Sequence, residues 1–218
     1  IATGLLREFT ADPLSILRFQ REGLYHVPAV GLAAGLDLRG FRNDGSFQYG
    51  PEIVGDYSKT FSMEQARTRL SQGIAPFQRG ASMAKAKLDE FAKVLALARS
   101  KGISVIALTM PYDPRVVAAL NGSPSHGIWR DFRGQAFHDW IAAQGVLYFD
   151  FAEIDSFGGR ADEFIDPVHP SEAAYVRILL KMLEDRRVRE LLPVDVKMLQ
   201  ERLAGSSRLE VFRNEFSP

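Results

Sequence analysis

Ile103-Ser104-Val105-Ile106-Ala107-Leu108-Thr109-Met110-Pro111 is the stretch that decides the fold. Its apolar, β-branched run has strand length and closes at a proline, which reads as a buried strand. Lys101-Gly102 precedes it and ends a helical pattern that begins at Ser82. On that helix Leu88, Phe91, Leu95 and Ala98 share one face, with Val94 beside them. Farther upstream, Ser62 begins another helix, with Gln65 placed for a capping box.

Downstream the alternation continues. Asp113-Pro114 is an N-cap and first-turn proline pair opening a short helix to Leu120. Ile128 to Ala143 reads as one amphipathic helix with Phe132, Ala136, Trp140 and Ala143 on a stripe. Gly145 ends it, and Val146-Leu147-Tyr148-Phe149-Asp150-Phe151 is a second strand. Strand, helix and strand in this order predict a parallel pair, Ile103–Thr109 beside Val146–Phe151, with helices on both faces of the sheet. A site in such a sheet forms beyond the carboxyl ends of its strands. Met110-Pro111-Tyr112, Asp150 and the loop from Asp166 to His169 are therefore expected on one rim.

That loop carries the chemistry. In Phe164-Ile165-Asp166-Pro167-Val168-His169-Pro170-Ser171, an Asp and a His stand three residues apart, and an amphipathic run to Leu183 follows. Asp166 can hydrogen-bond one imidazole nitrogen of His169, fixing the tautomer and leaving the other nitrogen free to take a proton from a nucleophile. Ser171 reads as the N-cap of the following helix.

The D-x-x-H-P-S block, its helix and the preceding helix, Gly-Ile, strand and loop proline resemble the SGNH (GDSL-type) hydrolase superfamily, over roughly Phe77 to Leu183. The resemblance is nearest to its cell-envelope branch, which includes proteins of polysaccharide O-acetylation and teichoic-acid D-alanylation. It implies an α/β fold: a three-layer α/β/α arrangement around a mainly parallel, flavodoxin-like sheet, incomplete in this chain. It implies a serine ester hydrolase or O-acyltransferase with Asp166 and His169 as catalytic residues, an acylated small-molecule or carbohydrate substrate, and a periplasmic or envelope location. The alternative is a non-catalytic SGNH-like scaffold in envelope polysaccharide assembly.

The family's G-D-S block and its two oxyanion blocks have no intact counterpart. Gly55-Asp56-Tyr57-Ser58 places its serine one residue late and reads as a decoy. The chain starts at Ile1. The expectation is a C-terminal portion whose nucleophile lies on a further N-terminal segment, inactive alone, or else a catalytically dead relative. Three stretches are expected: an irregular or helical lid region over 1–60, punctuated by glycines, the α/β half-domain over 61–183, and a helical extension with a tail over 184–218. In the last, Pro193 separates two short helices and Arg208–Phe212 reads as an edge strand.

Blander roles are expected elsewhere. Asn43 and Asn121 sit in Asn-Asp-Gly and Asn-Gly turns. Ser82-Met83-Ala84-Lys85 matches S-x-x-K, but without the companion motifs it reads as an N-cap serine and solvated lysines. His126 reads as a surface turn, His138 as structural, and His26 has no partner in sequence. Arg186, Arg187 and Arg189 read as a basic face complementing a helix end. With 27 Lys+Arg against 27 Asp+Glu, no net field draws the chain to nucleic acid. The absence of cysteine removes disulfides, thiolate metal sites and a Cys nucleophile. The four histidines lack metal-ligand spacing and no phosphate-binding glycine loop is present, so neither metal nor cofactor is expected. No apolar run is long enough to span a bilayer.

Overall fold

The computed structural model describes residues 40–41, 47–48, 61–207 and 209–212. The chain divides into two compact units, Tyr57–Val211 and a second made of Ile1–Asp56 and Phe212–Pro218. In the second, β1 (Gly40–Phe41) and β2 (Phe47–Gln48) pair antiparallel, Gly40 with Gln48 and Phe41 with Phe47. Asn43 and His26 lie outside the described residues.

The unit Tyr57–Val211 runs α1 (Met63–Gln72), α2 (Lys85–Ser100), β3 (Ile106–Thr109), α3 (Pro114–Asn121), α4 (Gly127–Arg133), α5 (Gln135–Ala143), β4 (Leu147–Asp150), a 3-10 turn at Ile154–Phe157, β5 (Phe164–Asp166), β6 (His169–Pro170), α6 (Glu172–Met182), α7 (Arg186–Leu191) and α8 (Val196–Ala204). Its helix starts follow side-chain chemistry. Ser62 and Gln65 form the expected capping box, each side chain accepting from the other's backbone N–H at 3.2 and 2.8 Å. Asp113 accepts from Arg115 N at 2.8 Å, ahead of Pro114. Ser171, Asp185 and Asp195 cap α6, α7 and α8.

β3 and β4 pair parallel, from Ile106 opposite Leu147 to Thr109 opposite Asp150, with α3, α4 and α5 in the crossover. This makes the unit mixed α/β. Both strands are shorter than the sequence suggests. Ile103 N–H bonds back to Ala98 O at 2.9 Å and Gly102 takes φ +68°, so the chain is still leaving α2 where the strand was expected to begin. On one face of the pair, Val105, Ala107, Val146 and Tyr148 pack with Leu88 and Leu95 of α2 and with Phe137, Trp140 and Ile141 of α5. A second core joins Ala66, Phe77, Val116 and Leu120, and Tyr112, Trp129 and Val168 pack against it.

Several expectations are corrected. The expected single helix over 128–143 is two, broken at Gly134, whose ψ of 148° is extended. The break re-phases the second half, so Phe137 and Ile141 are buried while Phe132 is exposed. Helix α2 starts at Lys85, not Ser82, because Met83 N–H is drawn to Asp131 Oδ2 at 2.7 Å and leaves Ala84 as N-cap. Val94 faces outward. Leu209–Phe212 forms no strand: Leu209 O accepts from Glu172 N, and Val211 N donates to Glu172 Oε2. Asn121 does not serve a free turn; it ends α3, and its Oδ1 accepts from Trp129 Nε1 at 2.8 Å.

The cores set an expectation for stability. Ile141→Ala should cost about 2–5 kcal/mol, the range for emptying a packed aliphatic site. Val94→Ala, in dilute solution, should stay within about 0.5 kcal/mol as an exposed substitution. Urea unfolding of the two variants measures both, and equal costs would overturn this assignment of inward and outward faces.

Candidate active site

Asp166 and His169 stand at the two ends of a tight turn between β5 and β6, directly opposite one another in the antiparallel register. Asp166 Oδ1 accepts the backbone N–H groups of Val168 and His169 at 2.9 and 3.0 Å. Its other oxygen, Oδ2, accepts from His169 Nδ1 at 2.8 Å. One carboxylate therefore fixes both the turn and the imidazole. With Nδ1 donating, Nε2 is the acceptor in the neutral ring. Among the described residues no group is hydrogen-bonded to Nε2. The Asp166 side chain is 7% exposed and that of His169 is 60% exposed, so the orienting group is sheltered and the reactive one is open.

The turn is clamped from three sides. Asp113 N–H donates to Pro167 O at 3.0 Å, tying the turn to the loop that leaves β3. Val168 packs into the core that holds Tyr112 and Trp129. Ser171 N–H donates to Glu163 O at 2.8 Å, closing the base of the hairpin where α6 begins. Glu163, 2% exposed, is itself held by Arg177 Nε on α6, at 3.0 Å from each carboxylate oxygen, and by Arg160 N–H at 3.1 Å. The loop leaving β3 thus meets the Asp166–His169 turn through Asp113, and Tyr112 and Val168 pack against one core. Asp150 ends β4 opposite Thr109, at the same end of the pair. Its carboxylate is spent on Arg133 Nε at 3.1 Å and Ala152 N–H at 3.0 Å, a structural use.

The other candidates separate cleanly. Gly55, Asp56, Tyr57 and Ser58 fall outside the described residues. Lys85 pairs with Asp89 at 2.7 Å rather than with Ser82. His126 is not a surface turn residue: it is 3% exposed, with Ser123 Oγ 2.7 Å from Nδ1 and Phe77 O 3.2 Å from Nε2, clasping two segments of the second core. His138 is half-buried, packed edge-on against Tyr148 with its Nε2 turned inward, as a structural residue is. Arg189 donates to Leu183 O and Glu184 O, meeting the carbonyls at the end of α6 as the basic face was expected to do. Among the described residues no three His, Cys, Asp or Glu side chains group as a metal site, and no helix is long and apolar enough to cross a membrane. Glu163 and Arg177 carry no local signal in the sequence. They stand fourteen residues apart on different elements, a separation with no periodic signature.

The hydrogen bond from His169 to Asp166 lifts the imidazole's pKa above its ordinary value of 6.5, against a smaller opposing effect of burial. Titrated by NMR, His169 should lose its proton above the usual histidine range, and Asp166→Asn should bring it back down. The sign for stability follows from the raised folded-state value. The contribution is complete below about pH 6.5 and is lost as pH rises through the folded pKa. Arg177→Met should destabilise by about 3–5 kcal/mol, because it leaves the buried Glu163 carboxylate without its cation. Glu163→Gln should cost less, since Arg177 reaches solvent. Thermal unfolding ranks the pair, and the reverse order would refute the clamp.

Comparison with protein-family models, with curated proteins and with solved structures returned no match, so the reading of this site stands on its own residues and their geometry.

Proposed function

We propose that this chain supplies the Asp–His half of an SGNH-type serine ester hydrolase or O-acyltransferase acting on acylated carbohydrate of the cell envelope. The observation that carries the reading is the bond from His169 Nδ1 to Asp166 Oδ2, made by a carboxylate whose other oxygen is pinned by two backbone N–H groups. In the proposed reaction a serine outside the described residues attacks the acyl carbonyl. His169 Nε2 takes the serine proton as the new C–O bond forms, then returns it to the leaving sugar alkoxide. Asp166 holds the ring and stabilises the imidazolium. Water or a second sugar hydroxyl, deprotonated by the same nitrogen, then attacks the acyl-serine, and the proton passes to the departing serine oxygen as the acyl group leaves as acid or as a new ester. The three-layer α/β/α sheet and the envelope location belong to the same proposal.

A second reading is a non-catalytic scaffold that binds acylated polysaccharide. The imidazole of His169, 60% exposed and held by Asp166, would meet such a ligand from solvent.

The chain alone should show no His169-dependent turnover of p-nitrophenyl acetate, since its sequence holds no intact nucleophile or oxyanion block of the family, and such donors are worth about 100- to 1000-fold each. The rate of His169→Ala is the background, because free imidazole cleaves activated esters slowly. A rate well above that background that vanishes in Ser58→Ala would identify Gly55-Asp56-Tyr57-Ser58 as a working block. An inert chain that gains a His169-dependent rate when a segment bearing the missing serine is supplied supports the divided site. A complete protein that binds acylated sugars without turning any over supports the scaffold.

A further inference from the structure

Among the described residues, half of the large apolar side chains left exposed fall in one short window: Phe91, Val94, Leu97 and Ile103. Val94, Leu97 and Ile103 are each 60% exposed. Helix α2 buries Leu95 on its inner face, so Val94 and Leu97 are not its core stripe but a second one on the outside. That outer stripe runs Glu90, Val94, Leu97, Lys101, a 4-3-4 spacing that lies along one helix face. Such a seam is the one used when two helices pack side by side. Glu90 and Lys101 are both exposed and stand at its two ends with opposite charges, Glu90 also pairing at 2.8 Å with the exposed Lys87 of its own helix, a contact that a partner's Lys101 would share.

The stripe is complementary to its own reverse. If a second α2 is laid antiparallel with Val94 against Leu97 of the other copy, the same register sets Glu90 against Lys101 of the other copy, at both ends. A twofold axis then passes between the two Val94–Leu97 pairs. A hydrophobic centre with an opposite charge at each end is self-complementary, and self-complementarity is what an isologous contact requires. It also rejects the parallel alternative, which would oppose Glu90 to Glu90 and Lys101 to Lys101.

We propose that the outer face of α2 is a self-association surface, joining two copies of this chain antiparallel about a twofold axis. The apolar centre is small, so the dimer is weak, with a Kd of about 10–100 µM. Ile103, at the C-terminal end of the helix, extends the patch towards Leu191, 41% exposed across a groove of about 360 Å3.

Sedimentation equilibrium of the full chain tests this, with circular dichroism as the check on folding. Wild type should self-associate in that range. Glu90→Lys and Lys101→Glu should each raise Kd at least tenfold, because each places like charges at both ends. An equimolar mixture of the two single variants should recover wild-type association, since positions 90 and 101 of one chain then face the opposite charge on the other at both ends. Should either charge variant unfold, Leu97→Glu, at an exposed position, carries the test by abolishing association. A chain monomeric to about 500 µM overturns the proposal, as it lies far above the Kd expected of this contact. So does a dimer indifferent to these changes, or a mixture that associates no better than its components.

Discussion

The carboxylate of Asp166 is the constraint on which the site depends. At the two-residue link between β5 and β6, Asp166 Oδ1 accepts the backbone N–H groups of both Val168 and His169. The oxygen left over then points at the imidazole, because the antiparallel register has already set His169 opposite. Turn formation and histidine orientation are one event. An amide at this position could accept only through its single carbonyl oxygen; with that oxygen on the turn, its NH2 would donate to Nδ1 and set the ring in the other tautomer.

The rest of the unit supplies rigidity to that turn. Its three clamps come from three directions: the loop after β3 through Asp113, the core through Val168, and α6 through Ser171 and the Glu163–Arg177 pair. Burying Glu163 is costly, and one ion pair offsets that cost only with good geometry and further hydrogen bonds. Here Arg177 reaches both oxygens and Arg160 N–H adds a third donor. An apolar pair would stabilise the same contact at least as well. What the ionic one adds is direction, since it fixes the hairpin's base against α6 to within a hydrogen bond.

Local chemistry made much of this legible in the sequence. Ser62 with Gln65, Asp113 with Pro114, Ser171 and the Asp166–His169 spacing are all interactions within three residues, and each is where its residue types demand. The parallel pair was legible because apolar strands separated by helices allow few other arrangements. Contacts distant in sequence were not. Asp131 reaching back to Met83 moved the start of α2, and nothing near Ser82 announces it. A glycine within an amphipathic pattern can be tolerated, so Gly134 gave no sign that it would turn extended and re-phase Phe137 and Ile141. His126 looked exposed among serines and a proline; its burial depends on Phe77, far up the chain.

The electrostatic balance at His169 bears on the proposed chemistry. The Asp166 hydrogen bond favours the imidazolium, while partial burial of the ring opposes it, and the bond dominates. On the proposed reading, a substrate seated over Nε2 would change the second effect and leave the first. Removing water from the exposed edge penalises the charged ring and lowers its pKa. Nδ1 stays bonded to Asp166, whose side chain is sheltered before any ligand arrives. The base would then be driven towards its neutral form as the acyl group docks, and the imidazolium formed in the transition state would still find its counter-charge in place. A dyad with an exposed carboxylate would lose that asymmetry, because docking would desolvate both groups and penalise the stabilising charge along with the base.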